Sequence, residues 1–271
     1  MVLVFLAGHA FAQAGYPFGI KVSGKGKECL LFLPGFTCPA AVWEQTVALF
    51  DPYYTCYTLT MPGFGGVPAE KEPSFKQWEQ DIARFIAERH LKPVIIGHSM
   101  GGGLALALAA DYPASVSKVV VVDALPSLAQ MQSPGFQPWT DSMRHAVTGQ
   151  IMAMPDEQFR QMQLASAKAL VADTSRVATI AAWSATADRR TFAMMFCDFL
   201  NTDLQPRLSA ISCPVLVLLE APFRNRSTAV EAQYRSLRGA QLAYASKGLH
   251  FIMYDDFDWY QQQLKAFIPV P

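Results

Sequence analysis

Residues 94–103 read Val94-Ile95-Ile96-Gly97-His98-Ser99-Met100-Gly101-Gly102-Gly103. An apolar run of strand length enters G-x-S-x-G and continues into Leu104–Ala110, an almost wholly apolar segment that stops at Asp111-Tyr112-Pro113. Strand, sharp turn and buried helix in that order put a serine on a strained corner, with glycines on either side where side chains would collide with the neighbouring strand and helix. The helix that follows offers free N–H groups and the positive end of its dipole beside that serine. Ser99 is therefore the candidate nucleophile.

Outward from this corner, short apolar runs alternate with helical stretches. Phe18–Ser23, Cys29–Leu33, Tyr54–Leu59, Pro93–Ile96, Lys118–Val122, Val215–Leu219 and Gln241–Ala245 have strand length. Gly24-Lys25-Gly26 between the first two reads as the turn of a hairpin. Ala40–Phe50 is amphipathic, and Ser74–His90 starts on a capping serine with Phe75, Trp78, Ile82, Phe85 and Ile86 at helical spacing. The pattern predicts an α/β fold, a mostly parallel twisted sheet flanked by helices. From 127 to 204 the alternation gives way to helical sequence rich in Ala, Gln and Met, which predicts an inserted helical cap on a core formed by 15–126 and 205–271.

The 271 residues carry 22 Lys+Arg against 22 Asp+Glu, which leaves no basic field for a nucleic-acid backbone. No apolar run reaches the roughly 20 residues that span a bilayer. Residues 1–14 combine an apolar run with small-residue sites such as Ala12-Gln13-Ala14, the look of a signal-peptide remnant without its positive start. If they are one, the product is periplasmic or secreted; otherwise it is cytoplasmic. Cys29, Cys38, Cys56, Cys197 and Cys213 form neither a CxxC pair nor a metal spacing, so no metal or cofactor is expected, and most should be buried hydrophobes.

Taken with its companions, G-H-S-M-G-G resembles the nucleophile elbow of the α/β-hydrolase superfamily, in its serine esterase and lipase-like branch. The companions are Leu33-Pro34-Gly35-Phe36, Met61-Pro62-Gly63-Phe64-Gly65 and Gly248-Leu249-His250-Phe251, and the likeness runs from Phe18 to Phe267. It implies His250 as general base and an oxyanion hole built from the backbone N–H groups of Met100 and Phe36. His98, inside the elbow, is expected to be structural, and His9, His90 and His145 lie outside the motifs. The chain departs from the superfamily pattern in the acid. Where most members place Asp after the strand equivalent to Val215–Leu219, this sequence reads Glu220-Ala221-Pro222. Some members carry the acid after the preceding strand, which favours Asp123, with Glu220 as the alternative acid and Asp198 or Asp203 behind it.

These residues suit a serine hydrolase that cleaves carboxylic esters of small to medium apolar acyl groups through an acyl-serine intermediate. Thioesterase, lactonase, C–C hydrolase and perhydrolase chemistry fit the same set, as does a ligand-binding protein of little turnover. Relatives that act on epoxides or haloalkanes carry Asp at the position of Ser99, so the resemblance disfavours those reactions. Met131, Met143, Met152, Met154, Met162, Met194 and Met195 fall between 127 and 203, with Trp139 and Trp183, and suggest a hydrophobic acyl or aryl pocket for a small-molecule ester, with ordinary helix packing explaining at least half of the methionines. Oligomeric state has no signature in the sequence.

Overall fold

The computed structural model describes residues 15–270, so the signal-like segment 1–14 lies outside the described residues. Seven strands form one sheet: β1 (Gly19–Ser23), β2 (Cys29–Leu33), β3 (Thr55–Thr60), β4 (Val94–His98), β5 (Lys118–Val122), β6 (Val215–Leu219) and β7 (Gln241–Tyr244), in the spatial order β1-β3-β2-β4-β5-β6-β7. Every neighbouring pair is parallel except β1 with β3.

The expected β1–β2 hairpin does not form. β3 lies between the two strands, with Gly19 opposite Thr60 and Cys29 opposite Thr55. The glycines of the connection serve another purpose. A Cβ on Gly24 would sit 2.0 Å from the Tyr54 carbonyl oxygen, and one on Gly26 would sit 2.0 Å from that of Tyr53. Residues 24–26 therefore cross tightly over the start of β3 to reach the next-but-one strand position, a passage that only glycine allows.

The pleat of the sheet divides the core by alternate residues. Leu31, Leu33, Ile95, Val119, Val121, Val217 and Leu219 pack with α2 (Phe75–Glu88) and α3 (Met100–Asp111) on one face. Leu30, Phe32, Ile96, Val120, Val122, Leu216 and Leu218 face the other way, toward Trp43 and Phe50 around α1 (Glu44–Phe50) and Tyr260 and Leu264 of the C-terminal helix. A 3-10 turn over Ala40–Trp43 leads into α1, and the Ser74 side chain caps α2 by accepting from Gln77 N–H at 3.1 Å. α3 buries every residue from Met100 to Ala110, so it needs no polar face.

Between β5 and β6 the chain runs through α4 (Leu128–Gln132), α5 (Asp141–Ala153), α6 (Asp156–Leu170), α7 (Thr174–Ala185) and α8 (Arg189–Asn201). Thr140, Asp173 and Asp188 cap α5, α7 and α8, each side chain accepting from a first-turn N–H. After β6 come α9 (Ser227–Tyr234), β7, the one-turn α10 (Ile252–Asp255) and α11 (Phe257–Phe267). Among the described residues, no helix is long and apolar enough to cross a membrane.

Candidate active site

The elbow forms where β4 ends. Ser99 adopts φ 52° and ψ −122°, a region costly for a residue with a side chain, by about 1–3 kcal/mol. The surroundings enforce it. Ser99 N–H donates to the last carbonyl of β5, Val122 O, at 2.9 Å, while the N–H groups of Gly102 and Gly103 turn back to Ser99 O. The flanking glycines are steric necessities: a Cβ on Gly97 would lie 2.1 Å from Gly101 O, and one on Gly101 would lie 2.2 Å from Leu33 O.

One strand over, the end of β5 repeats the device. Asp123 has φ 48°, its N–H donates to Leu218 O at 2.7 Å, and it is 3% exposed. Its carboxylate faces two donors. Oδ2 lies 2.6 Å from His250 Nδ1, and Oδ1 accepts from the Glu220 backbone N–H at 2.7 Å. With Nδ1–H directed at the carboxylate, a neutral His250 keeps its lone pair on Nε2. Glu220 thus meets Asp123 through its main chain. Burial, with the Asp123 charge next, pushes its own carboxyl up to about 7, so it is a poorer anion than an ordinary carboxylate, and its side chain makes no hydrogen bond to His250. Asp198 accepts from Phe75 N–H at the start of α2 and Asp203 from Gln205 N–H two residues on, and neither is a partner of His250.

Two carboxylates that the motifs do not mark hold the His250 loop. Asp255 accepts from Leu249 N–H at 2.8 Å and from the N–H groups of Ala172 and Asp173 at the α6–α7 junction. Asp256 accepts from the N–H groups of Ser246 and Lys247. An acidic doublet just beyond a glycine-containing loop was the available signal, since such loops leave backbone donors to be satisfied.

His98 packs against His250 with ring centroids 4.6 Å apart, and its Nε2 lies 3.0 Å from His250 O. Because a carbonyl only accepts, Nε2 carries the proton. Burial, then the neighbouring His250, holds the His98 pKa well below the usual histidine value, so the ring stays neutral. Its role is in packing and in holding the His250 main chain, although it also lines the floor of the cavity.

The candidate oxyanion donors lie at the same corner. Met100 is the first residue of α3, so no carbonyl one turn earlier in the helix takes its N–H. Phe36 follows β2 in the loop that contains Thr37, a residue with φ 64°. The two side chains part company: Phe36 lines the cavity, whereas Met100 is fully buried in the core beneath the elbow and forms no wall.

Ser99 and His250 open onto a cavity of about 250 Å³. Its lining is largely apolar, and among the described residues no methionine belongs to it. Phe192, Phe196, Phe199 and Leu200 of α8 form its apolar wall, with Leu128 and Ile180. Met143 and Met152 are instead 48% and 47% exposed, and Met195 is buried away from the cavity. Helical phase is the reason. Residues 192, 196 and 199 share one face of α8, with 194 on the opposite side, while Met195, at the border of that face, is buried in the core. Cys38 also lines the cavity, but burial pushes its thiol up to about 12, so it offers no thiolate beside Ser99. All five cysteines are free.

A seven-stranded sheet with this order, with Ser99 on a sharp turn after β4, Asp123 after β5 and His250 after β7, has the arrangement of an α/β-hydrolase type of protein. The Alpha/beta hydrolase family model matches residues 30–260, and the chain belongs to that family. It is similar to the N-formylmaleamate deformylase of Pseudomonas putida, 26% identical over 93% of this chain and 92% of the other. It is also similar to the pimeloyl-[acyl-carrier protein] methyl ester esterase of Vibrio campbellii, 25% identical over 72% of this chain and 76% of that one. Among solved structures, an esterase from Exiguobacterium antarcticum superposes with a TM-score of 0.79 at 17% identity, over 93% of this chain and 96% of its own.

Proposed function

We propose that the protein is a carboxylesterase-type serine hydrolase for small to medium apolar acyl groups, with Ser99 as nucleophile, His250 as general base and Asp123 as the acid. The observation that carries this reading is the 2.6 Å contact of Asp123 with His250 Nδ1, at the edge of a cavity that Ser99 also lines. Ser99 Oγ attacks the ester carbonyl and its proton passes to His250 Nε2. The alkoxide leaves with that proton, and water activated by His250 then releases the acid from acyl-Ser99. Asp123 holds the imidazole in the Nδ1–H tautomer and stabilises the imidazolium. Met100 and Phe36 N–H groups would receive the negative charge on the carbonyl oxygen in both steps.

The helices between 127 and 204 act in this reading as a cap, with α6, α7 and α8 shaping the acyl site. Its volume lies just under the range of about 300–1,000 Å³ usual for ligand pockets, which suits a short or medium chain. The full-length similarity to a deformylase supports a second reading, cleavage of an N-formyl amide. A maleamate carries a carboxylate, however, and among the described residues neither Lys nor Arg lines this cavity, which favours an uncharged apolar acyl group.

The test is hydrolysis of p-nitrophenyl esters from acetate to palmitate, by the intact protein and by Ser99→Ala, with fluorophosphonate labelling beside it. Turnover on the shorter esters that vanishes in the variant supports the reading. Labelling at Ser99 without ester turnover would shift it to another acyl substrate, and the absence of both would overturn it.

A further inference from the structure

Phe36, the proposed oxyanion donor of the loop after β2, sits in a tight turn. Cys38 N–H donates to Gly35 O at 3.0 Å, which closes Gly35-Phe36-Thr37-Cys38, and Thr37, the third residue, has φ 64°. Positive φ at that position alone marks a type II turn, where glycine is the usual occupant. A β-branched residue is strained there, because its side chain crowds the carbonyl in the middle of the turn. The simplest relief would be a flip of the Phe36–Thr37 peptide, which turns Phe36 O over and displaces the residue whose N–H should meet the oxyanion.

Two hydroxyl groups oppose that flip. Thr37, 3% exposed, donates through Oγ1 to Phe36 O at 2.7 Å, so the crowded carbonyl is held where it stands. Thr37 Oγ1 also lies 2.7 Å from Ser184 Oγ, near the end of α7. Thr37 has a single hydroxyl proton, already directed at Phe36 O, so Ser184 is the donor in this pair. A hydroxyl residue in a helix commonly donates to a carbonyl one turn back, as Thr186 does to Ala182 O at 2.8 Å. Ser184 reaches across to the core instead. The cap has other attachments, Asp188 N–H to Gly63 O at 2.7 Å and Phe251 N–H to Leu170 O at 3.2 Å, so the Ser184 hydroxyl is not needed to hold it down.

Resting on the serine-hydrolase reading, we propose that Thr37 and Ser184 are positioning residues, a hydroxyl pair through which the cap fixes the oxyanion turn and presets Phe36 N–H for the charge that develops on the carbonyl oxygen. Both hydroxyl protons are committed, one to Phe36 O and one within the pair, so neither is offered to the substrate. They act through the Phe36 main chain. Their effect is realised in the transition state, when the oxygen is charged, and not in the bound ester. Glycine at 37 would satisfy the turn but could not tie it to α7.

The test is steady-state kinetics on p-nitrophenyl butyrate with Ser184→Ala, Thr37→Val and Thr37→Ser. The first two should lower kcat by about tenfold and leave KM within about twofold, the mark of an interaction made only in the transition state. Thr37→Ser keeps the hydroxyl and should recover most of that rate. Because the two groups act as one, Ser184→Ala/Thr37→Val should be no slower than the slower single variant. Ser184→Ala, a change within a helix, guards against a misfolded turn in Thr37→Val. Parental kcat in both single variants, a rise in KM with kcat unchanged, Thr37→Ser as slow as Thr37→Val, or losses that multiply in the double variant would each overturn the proposal. The ester reading fails separately, if the intact protein is labelled at Ser99 by a fluorophosphonate but turns over no ester. The labelling rate then decides, because the phosphoryl oxygen enters the same hole: labelling about tenfold slower in both single variants upholds the pair, and equal rates reject it. An intact protein that is neither active nor labelled overturns both.

Discussion

Asp123 and His250 stand 127 positions apart and meet with Oδ2 2.6 Å from Nδ1, while the other carboxylate oxygen holds the Glu220 N–H at 2.7 Å. In the proposed triad, the second contact accounts for how a chain without the usual Asp after β6 can present an acid to its histidine. The residue that occupies that place supplies a main-chain donor and so fixes the carboxylate of Asp123. A carboxylate clamped from both sides cannot rotate away from the imidazole.

Asp123→Asn should therefore lower kcat by about 10³–10⁴, because an amide cannot hold the imidazole in the same tautomer or stabilise its cation. Glu220→Gln keeps the backbone N–H and should change kcat less than about threefold. Steady-state kinetics on a short-chain ester checks both. The reverse order would transfer the acid to Glu220.

The glycines divide into those the elbow needs and those it does not. Gly101→Ala forces a Cβ to 2.2 Å from Leu33 O and 2.5 Å from Pro34 O, both backbone atoms of the neighbouring strand end. Loss of several kcal/mol, on the order of 3–5, or no soluble protein is expected. Gly149 sits exposed inside α5, and a methyl group there would meet nothing within 4 Å. Gly149→Ala should stabilise by about 0.5–1 kcal/mol through helix propensity. Denaturant melts of the two variants should move in opposite directions.

Much of this arrangement is legible in the amino-acid sequence. β2, β5 and β6 have the bounds read from their apolar runs, because strands buried on both faces are almost continuously apolar. The partner of β1 is not legible: strand pairing depends on how far Gly24–Gly26 carry the chain, and a glycine-rich link serves a crossing as well as a hairpin. Ser99 and His250 stand out by motif, whereas Asp123 is reached only through resemblance, since nothing local marks one strand-end Asp above another. An apolar pocket is legible from the composition of 127–204, but which of its residues line it is not, because composition carries no information on which face each helix turns to Ser99. Thr37 and Ser184 give no signal at all, because they stand 147 positions apart and only the folded cap brings them together.

Glu220 should also mark the stability profile. Its carboxyl titrates near 4.5 in an unfolded chain and is pushed up to about 7 in the fold, chiefly by burial. Between those values the folded chain holds a proton that the unfolded chain has released, so stability from this group falls as pH rises, and the full penalty is present above about 7. Glu220→Gln should melt like the parent at about pH 4 and above it at about pH 8. A gain confined to acid pH would contradict the sign of this shift.

Phe192 packs its ring 4.8 Å from Phe36 and 5.1 Å from Phe159, and it lines the cavity beside Ser99. Phe192→Ala should open the site, move the best ester toward longer chains and cost about 3–5 kcal/mol of stability. Met143→Gln and Met152→Gln, at exposed positions outside the cavity lining, should leave both the preferred chain length and the melting temperature within error. A chain-length series on the three variants separates the alternatives, because a methionine-built pocket would respond in the opposite way. If the methionine variants shifted the preference while Phe192→Ala did not, the acyl group would have to lie toward α5, and the aromatic face of α8 would be packing alone.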